Sequence, residues 1–193
     1  MRGLATECRV IHPDDALVTA RLSLRRFTLA DLDLLDRLAT DSRVMEFLGG
    51  VKDRAATETM LRVRILEYYD RHPGLGIWAT VERASGQCVG FHVLNHIQGE
   101  TDVQVGYALF SDAWGKGYAT EMTMGLLRYG FGTLQLPVIV AITNLANTPS
   151  QQVLLKAGLR HNGERLFEHP AYADQGPMAW FEADRDAWLA AQL

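Results

Sequence analysis

The sequence predicts a mixed α/β domain, and three observations carry the prediction. An apolar strand pattern at residues 105–110 passes through a short polar turn and a Gly-x-Gly loop into a helical stretch. Leucines at helical spacing follow an alternating strand pattern near residue 22. A short continuous apolar run at residues 138–142 suits a buried central strand. With 193 residues and 48% apolar composition, one domain has room for a proper core.

Taken in order, residues 1–19 show weak periodicity and read as a loosely ordered arm ahead of a single domain at residues 20–193. Leu22, Leu24 and Arg26 alternate with Ser23 and Arg25, which is a strand pattern. Thr28 is placed to cap a helix whose apolar stripe is Leu29, Leu32, Leu35 and Leu38. Beyond Gly49 and Gly50 a second helix is expected over residues 55–71, with Met60, Val63 and Tyr68 inward. His72, Pro73 and Gly74 end it. Segments 77–82 and 88–94, joined through Ala84, Ser85 and Gly86, read as a hairpin. Gln98, Gly99 and Glu100 turn the chain into the strand before the glycine loop. The helix behind that loop continues through Met122, Leu126, Leu127 and Tyr129 to Gly132. Thr148, Pro149 and Gln151 have capping-box spacing, and Gly158 stops the helix they start. The tail holds a strand near 159–167, a loop around His169, Pro170, Ala171 and Tyr172, a strand near 178–182 and a short final helix.

A net charge of −4 argues against a nucleic-acid partner, which calls for a basic face. Cys8 and Cys88 lie far apart without metal-ligand spacing, so they read as reduced structural thiols. The N-terminal stretch lacks a signal-peptide core, and no apolar run approaches a membrane span. The expectation is a cytoplasmic protein with neither metal nor membrane partner.

The chemistry concentrates at Gly115 and Gly117. Lacking Cβ atoms, they let the backbone approach a ligand, and the following helix aims its free N–H groups at one spot. Such a loop binds phosphate; as a bare turn it would only need to join strand to helix. A Walker loop requires Ser or Thr after Gly-Lys, whereas Lys116 is followed by Gly117. A dinucleotide fingerprint requires Gly or Ala where Thr120 stands, and an acidic residue about twenty positions on, where the chain is apolar.

Trp114, Gly115, Lys116, Gly117, Tyr118 and Ala119 resemble the pyrophosphate motif of the GCN5-related N-acetyltransferases, Gln/Arg-x-x-Gly-x-Gly/Ala. Trp114 in place of Gln or Arg is similar to the branch typified by ribosomal-protein N-terminal acetyltransferases. Residues 21–25, 44–50, 143–150 and 156–160 resemble further segments of that branch, in the same order. The resemblance implies a mostly antiparallel twisted sheet of about seven strands, splayed between strands 4 and 5, with four to five flanking helices. It implies acetyl-CoA as co-substrate, its pyrophosphate held by Trp114, Gly115, Lys116, Gly117, Tyr118, Ala119 and Thr120. Its pantetheine arm would run along the backbone of Tyr107, Ala108 and Leu109 and meet the side chain of Asn147.

The same resemblance implies direct transfer of the acetyl group to a primary amine, on a small molecule or a protein N-terminus. Where many relatives carry a tyrosine acid this chain has Leu154, and the branch offers Ser150 instead. Where members often carry a glutamate base it has Gln104, leaving Asp102 ahead of Glu100, His92, His96 and Glu46. A missing base favours a weakly basic acceptor. A terminal α-amine of pKa about 8 is partly neutral at pH 7, a lysine-type amine of about 10.4 hardly at all. Residues 44–50, the start of the second helix and the loop at 169–172 would shape the acceptor pocket. Another donor such as succinyl-CoA, a non-catalytic acyl-CoA-binding module and a homodimer are all compatible with these residues.

Overall fold

A computed structural model describes residues 17–191. Its strands are β1 (Leu22–Arg26), β2 (Gly76–Glu82), β3 (Cys88–His96), β4 (Val103–Leu109), β5 (Val138–Asn144), β6 (Arg160–Arg165) and β7 (Met178–Asp184). They form one sheet in the order β1-β2-β3-β4-β5-β7-β6. Every neighbouring pair is antiparallel except β4 and β5, which the helix α5 (Tyr118–Gly132) joins as a parallel crossover.

The period-two alternation of β4 divides the core. Val105 and Leu109 join Met122, Leu126 and Leu127 of α5 in the main cluster. Ala108 and Phe110 pack instead against Leu38 of α1 (Leu32–Thr40) and Val44 and Met45 of α2 (Ser42–Met45). A third cluster, Ile97, Val140, Phe167 and Met178, lies beneath the β6–β7 connection.

Thr28 precedes a single 3₁₀ turn, Leu29–Asp31, before α1 begins, and Asp31 accepts from the Thr28 N–H at 2.8 Å. The tight turn rotates Leu29 outward, so Leu35, Leu38 and Ala39 form the buried stripe. The second helix is α3 (Arg54–Thr59), a π-helical segment Met60–Leu66 and α4 (Glu67–Arg71). Its inward face is Leu61, Ile65 and Tyr69, while Val63 is exposed and Met60 and Tyr68 are half-buried. Two apolar stripes run along this helix, and packing chose the four-residue one. In α6 (Thr148–Lys156) the cap is Asn147 rather than Thr148, its Oδ1 accepting from the Ser150 N–H at 3.2 Å. Most of the expected arm lies outside the described residues, as does Cys8. Leu17 and Thr19 are tied to β1 by the bonds Leu24 N–H to Leu17 O and Thr19 N–H to Leu22 O, both 2.8 Å. The last helix, α7 (Arg185–Ala190), locks onto α6 through Trp188, whose indole donates to Ala157 O at 2.9 Å.

Candidate active site

Strands β4 and β5 pair at a single position, Gln104 with Val140, and diverge beyond it. The wedge has a chemical consequence set by register. Phe110 N–H bonds Val89 O and Ile97 N–H bonds Asp102 O, so the even-numbered residues of β4 spend their backbone groups on β3. The odd ones, Val105, Tyr107 and Leu109, therefore turn N–H and C=O into the gap. Ala108 contributes its side chain to the wall, not free backbone groups. Leu109 has its carbonyl occupied, because the Trp114 indole donates to it at 2.9 Å. The N–H groups of Tyr107 and Leu109 and the Tyr107 carbonyl are left facing the wedge, where an extended ligand would bond as a strand does.

The wedge opens onto the glycine loop. Gly115 and Gly117 hold φ of 73° and 78°, the left-handed region that costs other residues about 1 kcal/mol or more. With these two turns the N–H groups of residues 115–120 find no acceptor among the described residues. They stand at the positive end of the fifteen-residue α5, an anion site by geometry and by dipole. Lys116 and Arg21 add charge, their cationic heads 5.9 and 4.8 Å from the centre of the Tyr118 ring. Arg21 also fastens the loop: Nη1 donates to Lys116 O at 2.8 Å and Nε to Glu121 at 2.6 Å. Glu121 further accepts from Thr19 Oγ1 and the Arg21 N–H. Desolvation raises the pKa of this carboxyl, but those hydrogen bonds outweigh it and hold it below its ordinary value.

Across the wedge, α6 starts at Asn147 and presents Ser150. Tyr107 is half-buried, and desolvation raises its pKa while the nearby Ser150 hydroxyl works the other way. Tyr107 and Ser150 thus lie near each other on the two sides of the wedge. Leu154 is 2% exposed, packed in the core and away from any acid role. Gln104 donates its amide to Asn95 Oδ1 at 3.3 Å.

The remaining candidate bases are dispersed. Asp102 and Glu100 grip Arg165 at 3.2 and 3.1 Å, so both carboxylates are engaged. His92 is fully buried: Nδ1 meets Thr80 Oγ1 at 2.7 Å, and Nε2 lies against the Ala119 backbone short of a hydrogen bond. Burial pushes its pKa down to about 3. His96 bonds the Tyr68 hydroxyl at 2.7 Å beside His72, and desolvation and then that second imidazole lower its pKa. Glu46 is exposed at the end of α2.

Of the segments expected to shape the acceptor pocket, 44–50 approaches the β6–β7 connection, where a Cβ at Gly49 would stand 3.6 Å from Gln175 Nε2. The 169–172 loop approaches the β3–β4 turn, where a Cβ at Gly99 would stand 3.1 Å from His169. Sequence reasoning missed the indole clasp of Trp114 and the Arg21–Glu121 anchor. Periodicity carries no trace of either, because each joins elements distant in the chain.

Comparison with known proteins agrees with this geometry. Residues 21–160 match the acetyltransferase (GNAT) domain family. An uncharacterised N-acetyltransferase, p20 of Bacillus licheniformis, is 26% identical over 77% of this chain and 84% of its own length. An acetyltransferase of Agrobacterium tumefaciens superimposes with a TM-score of 0.75 at 24% identity, covering 88% of this chain and 94% of that one. RimL, a ribosomal-protein alpha-N-acetyltransferase solved with coenzyme A, gives 0.73 at 15% identity, covering 90% and 99%. A splayed seven-stranded sheet, a left-handed glycine loop at a helix start and a domain match over most of its length place this chain in the GNAT family, as an acetyl-CoA-dependent N-acetyltransferase.

Proposed function

We propose that the protein transfers the acetyl group of acetyl-CoA to a primary amine by direct attack within a ternary complex. One observation carries the reading: the β4–β5 wedge, with the unpaired N–H groups of Tyr107 and Leu109, leads straight onto the six free N–H groups of residues 115–120. A pyrophosphate fits the loop, and a pantetheine arm fits the wedge as an added strand, within reach of the free amide nitrogen of Asn147. An N–H of β4 near the seam would face the thioester oxygen and stabilise the oxyanion as it forms.

The amine attacks as the neutral species, the tetrahedral oxyanion collapses, and the C–S bond breaks. Ser150, placed near Tyr107, donates a proton to the departing thiolate. The ammonium proton leaves to Asp102 or to solvent. Asp102 already holds Arg165, which favours an acceptor acidic enough to need little help. RimL acts on a protein N-terminus by its name, and such an α-amine meets that condition.

Titration calorimetry with acetyl-CoA, CoA and succinyl-CoA, beside a Gly117→Glu variant, tests the reading. Binding that the variant loses, followed by thiol release with an amine panel, is the expected result. Binding without turnover on any amine would favour an acyl-CoA-binding module. No binding at all would return the loop to a plain turn.

A further inference from the structure

Arg64 sits on the π-helical segment Met60–Leu66, a geometry that recurs at functional sites because the widened turn redirects side chains. Leu61 and Ile65 of the same segment are fully buried, which fixes the segment against the core. Arg64 reaches the β3–β4 turn. With the Gln98 amide turned oxygen-inward, Nη2 and Nη1 both donate to that oxygen, at 2.7 and 3.1 Å. The Tyr172 phenol of the β6–β7 connection lies within electrostatic range of it.

No carboxylate among the described residues pairs with Arg64. Arg21, Arg25, Arg54 and Arg165 all have one. The residue is exposed, and desolvation lowers its pKa. A guanidinium that meets only a neutral amide keeps its charge for an anion that a ligand brings. A guanidinium suits a carboxylate in particular, since its fork matches the two oxygens.

The position says which ligand. Gln98 lies three residues beyond Asn95, and Asn95 faces Gln104 at the β4–β5 seam. Three strand residues span at most roughly 10 Å. The β3–β4 turn, which Arg64 reaches through Gln98, meets the β6–β7 connection where Gly99 approaches His169. On the acetyl-transfer reading, the seam is where the amine must arrive.

We infer that Arg64 binds a carboxylate on the acceptor, so that the substrate is an amino-acid-like molecule whose amine and carboxylate stand several bonds apart. The inference rests on the acetyl-transfer reading and narrows its acceptor class. An ω-amino acid and an acidic peptide share that chemistry.

The test compares ω-amino carboxylates from 4-aminobutanoate to 8-aminooctanoate, the matching alkylamines and an acidic dipeptide. CoA release is followed with the full chain and with Arg64→Gln and Arg64→Lys variants. The carboxylates should exceed the alkylamines in kcat/KM by about tenfold to a hundredfold. Arg64→Gln should collapse that ratio towards one through KM, and Arg64→Lys should restore part of it. Whether the dipeptide or one chain length is preferred identifies the source of the carboxylate. A ratio of one in the unaltered protein, or an equal loss for both series in Arg64→Gln, overturns the inference. If no amine turns over, calorimetry of 6-aminohexanoate with the CoA-saturated protein decides: binding lost in Arg64→Gln supports it, and no binding overturns it. Failure to bind acetyl-CoA is read separately and sinks the acetyl-transfer reading itself.

Discussion

Single side chains divide here into those that do chemistry and those that make the chemistry's position affordable. Ser150→Ala should lower kcat by about a hundredfold while leaving the binding of acetyl-CoA nearly intact, and Tyr107→Phe should reproduce part of that loss. Steady-state rates with calorimetry on the same samples separate the two effects; full kcat in both variants would mean that the thiolate leaves unassisted. His92 makes a prediction about stability. Its folded-state pKa, about 3, lies below the usual 6.5, so the unfolded chain takes up the proton first. Stability is therefore complete above about pH 6.5 and falls as the pH drops towards 3, by up to about 1.4 kcal/mol per unit. His96, shifted the same way, adds to the start of that decline. Denaturant midpoints at pH 7.5 and 5.5 should differ in the unaltered protein and differ less in His92→Gln. Ser150 was legible only through the family resemblance, since the cap that sets its place is Asn147 and not the expected Thr148. Its nearness to Tyr107 was not, since it depends on how far two strands splay.

At the level of elements, glycines set where β-structure stops and ligand contact begins. A Cβ at Gly90 would stand 2.2 Å from Ala108 O and 2.6 Å from Leu109 Cα, at a φ of 139°. Gly90→Ala should thus cost more than about 2 kcal/mol in unfolding free energy, because it presses on the strand that lines the wedge. At Gly115 a Cβ meets nothing within 4 Å, so Gly115→Ala should cost only the dihedral penalty, about 1 kcal/mol. Thermal melts of the two variants rank these effects; equal losses would refute the steric distinction. The strand–loop–helix unit could be read in advance because its glycines, polar turn and helix start are contiguous. The second helix was misread on its inner face. Met60, Val63 and Tyr68 compete with Leu61, Ile65 and Tyr69, and only contact with the sheet decides between two apolar stripes. The π-helical turn that aims Arg64 leaves no mark in composition.

For the whole molecule, element order could be read along the chain, but strand order could not. β7 enters between β5 and β6, a pairing between distant segments that periodicity does not encode. The family resemblance supplied the splay that local patterning could not. The sheet accordingly has two halves, β1 to β4 and β5-β7-β6, meeting at one register pair and across the helices behind. Acetyl-CoA at a hundredfold excess over its Kd should raise the Tm by about 5–10 °C, and Gly117→Glu should abolish the rise. A seam held by so few backbone bonds is also a mechanical weak line. On the acetyl-transfer reading, a coenzyme arm laid along β4 would act as an added thread in the fabric of the sheet. Amides of β5 should exchange with solvent faster than those of β3 in the free protein and become uniformly slow once the thread is in place. Variants weakened near the seam, Gly90→Ala among them, should be rescued by acetyl-CoA more than variants weakened around Trp188. In this sense the substrate would serve as the molecule's own folding partner.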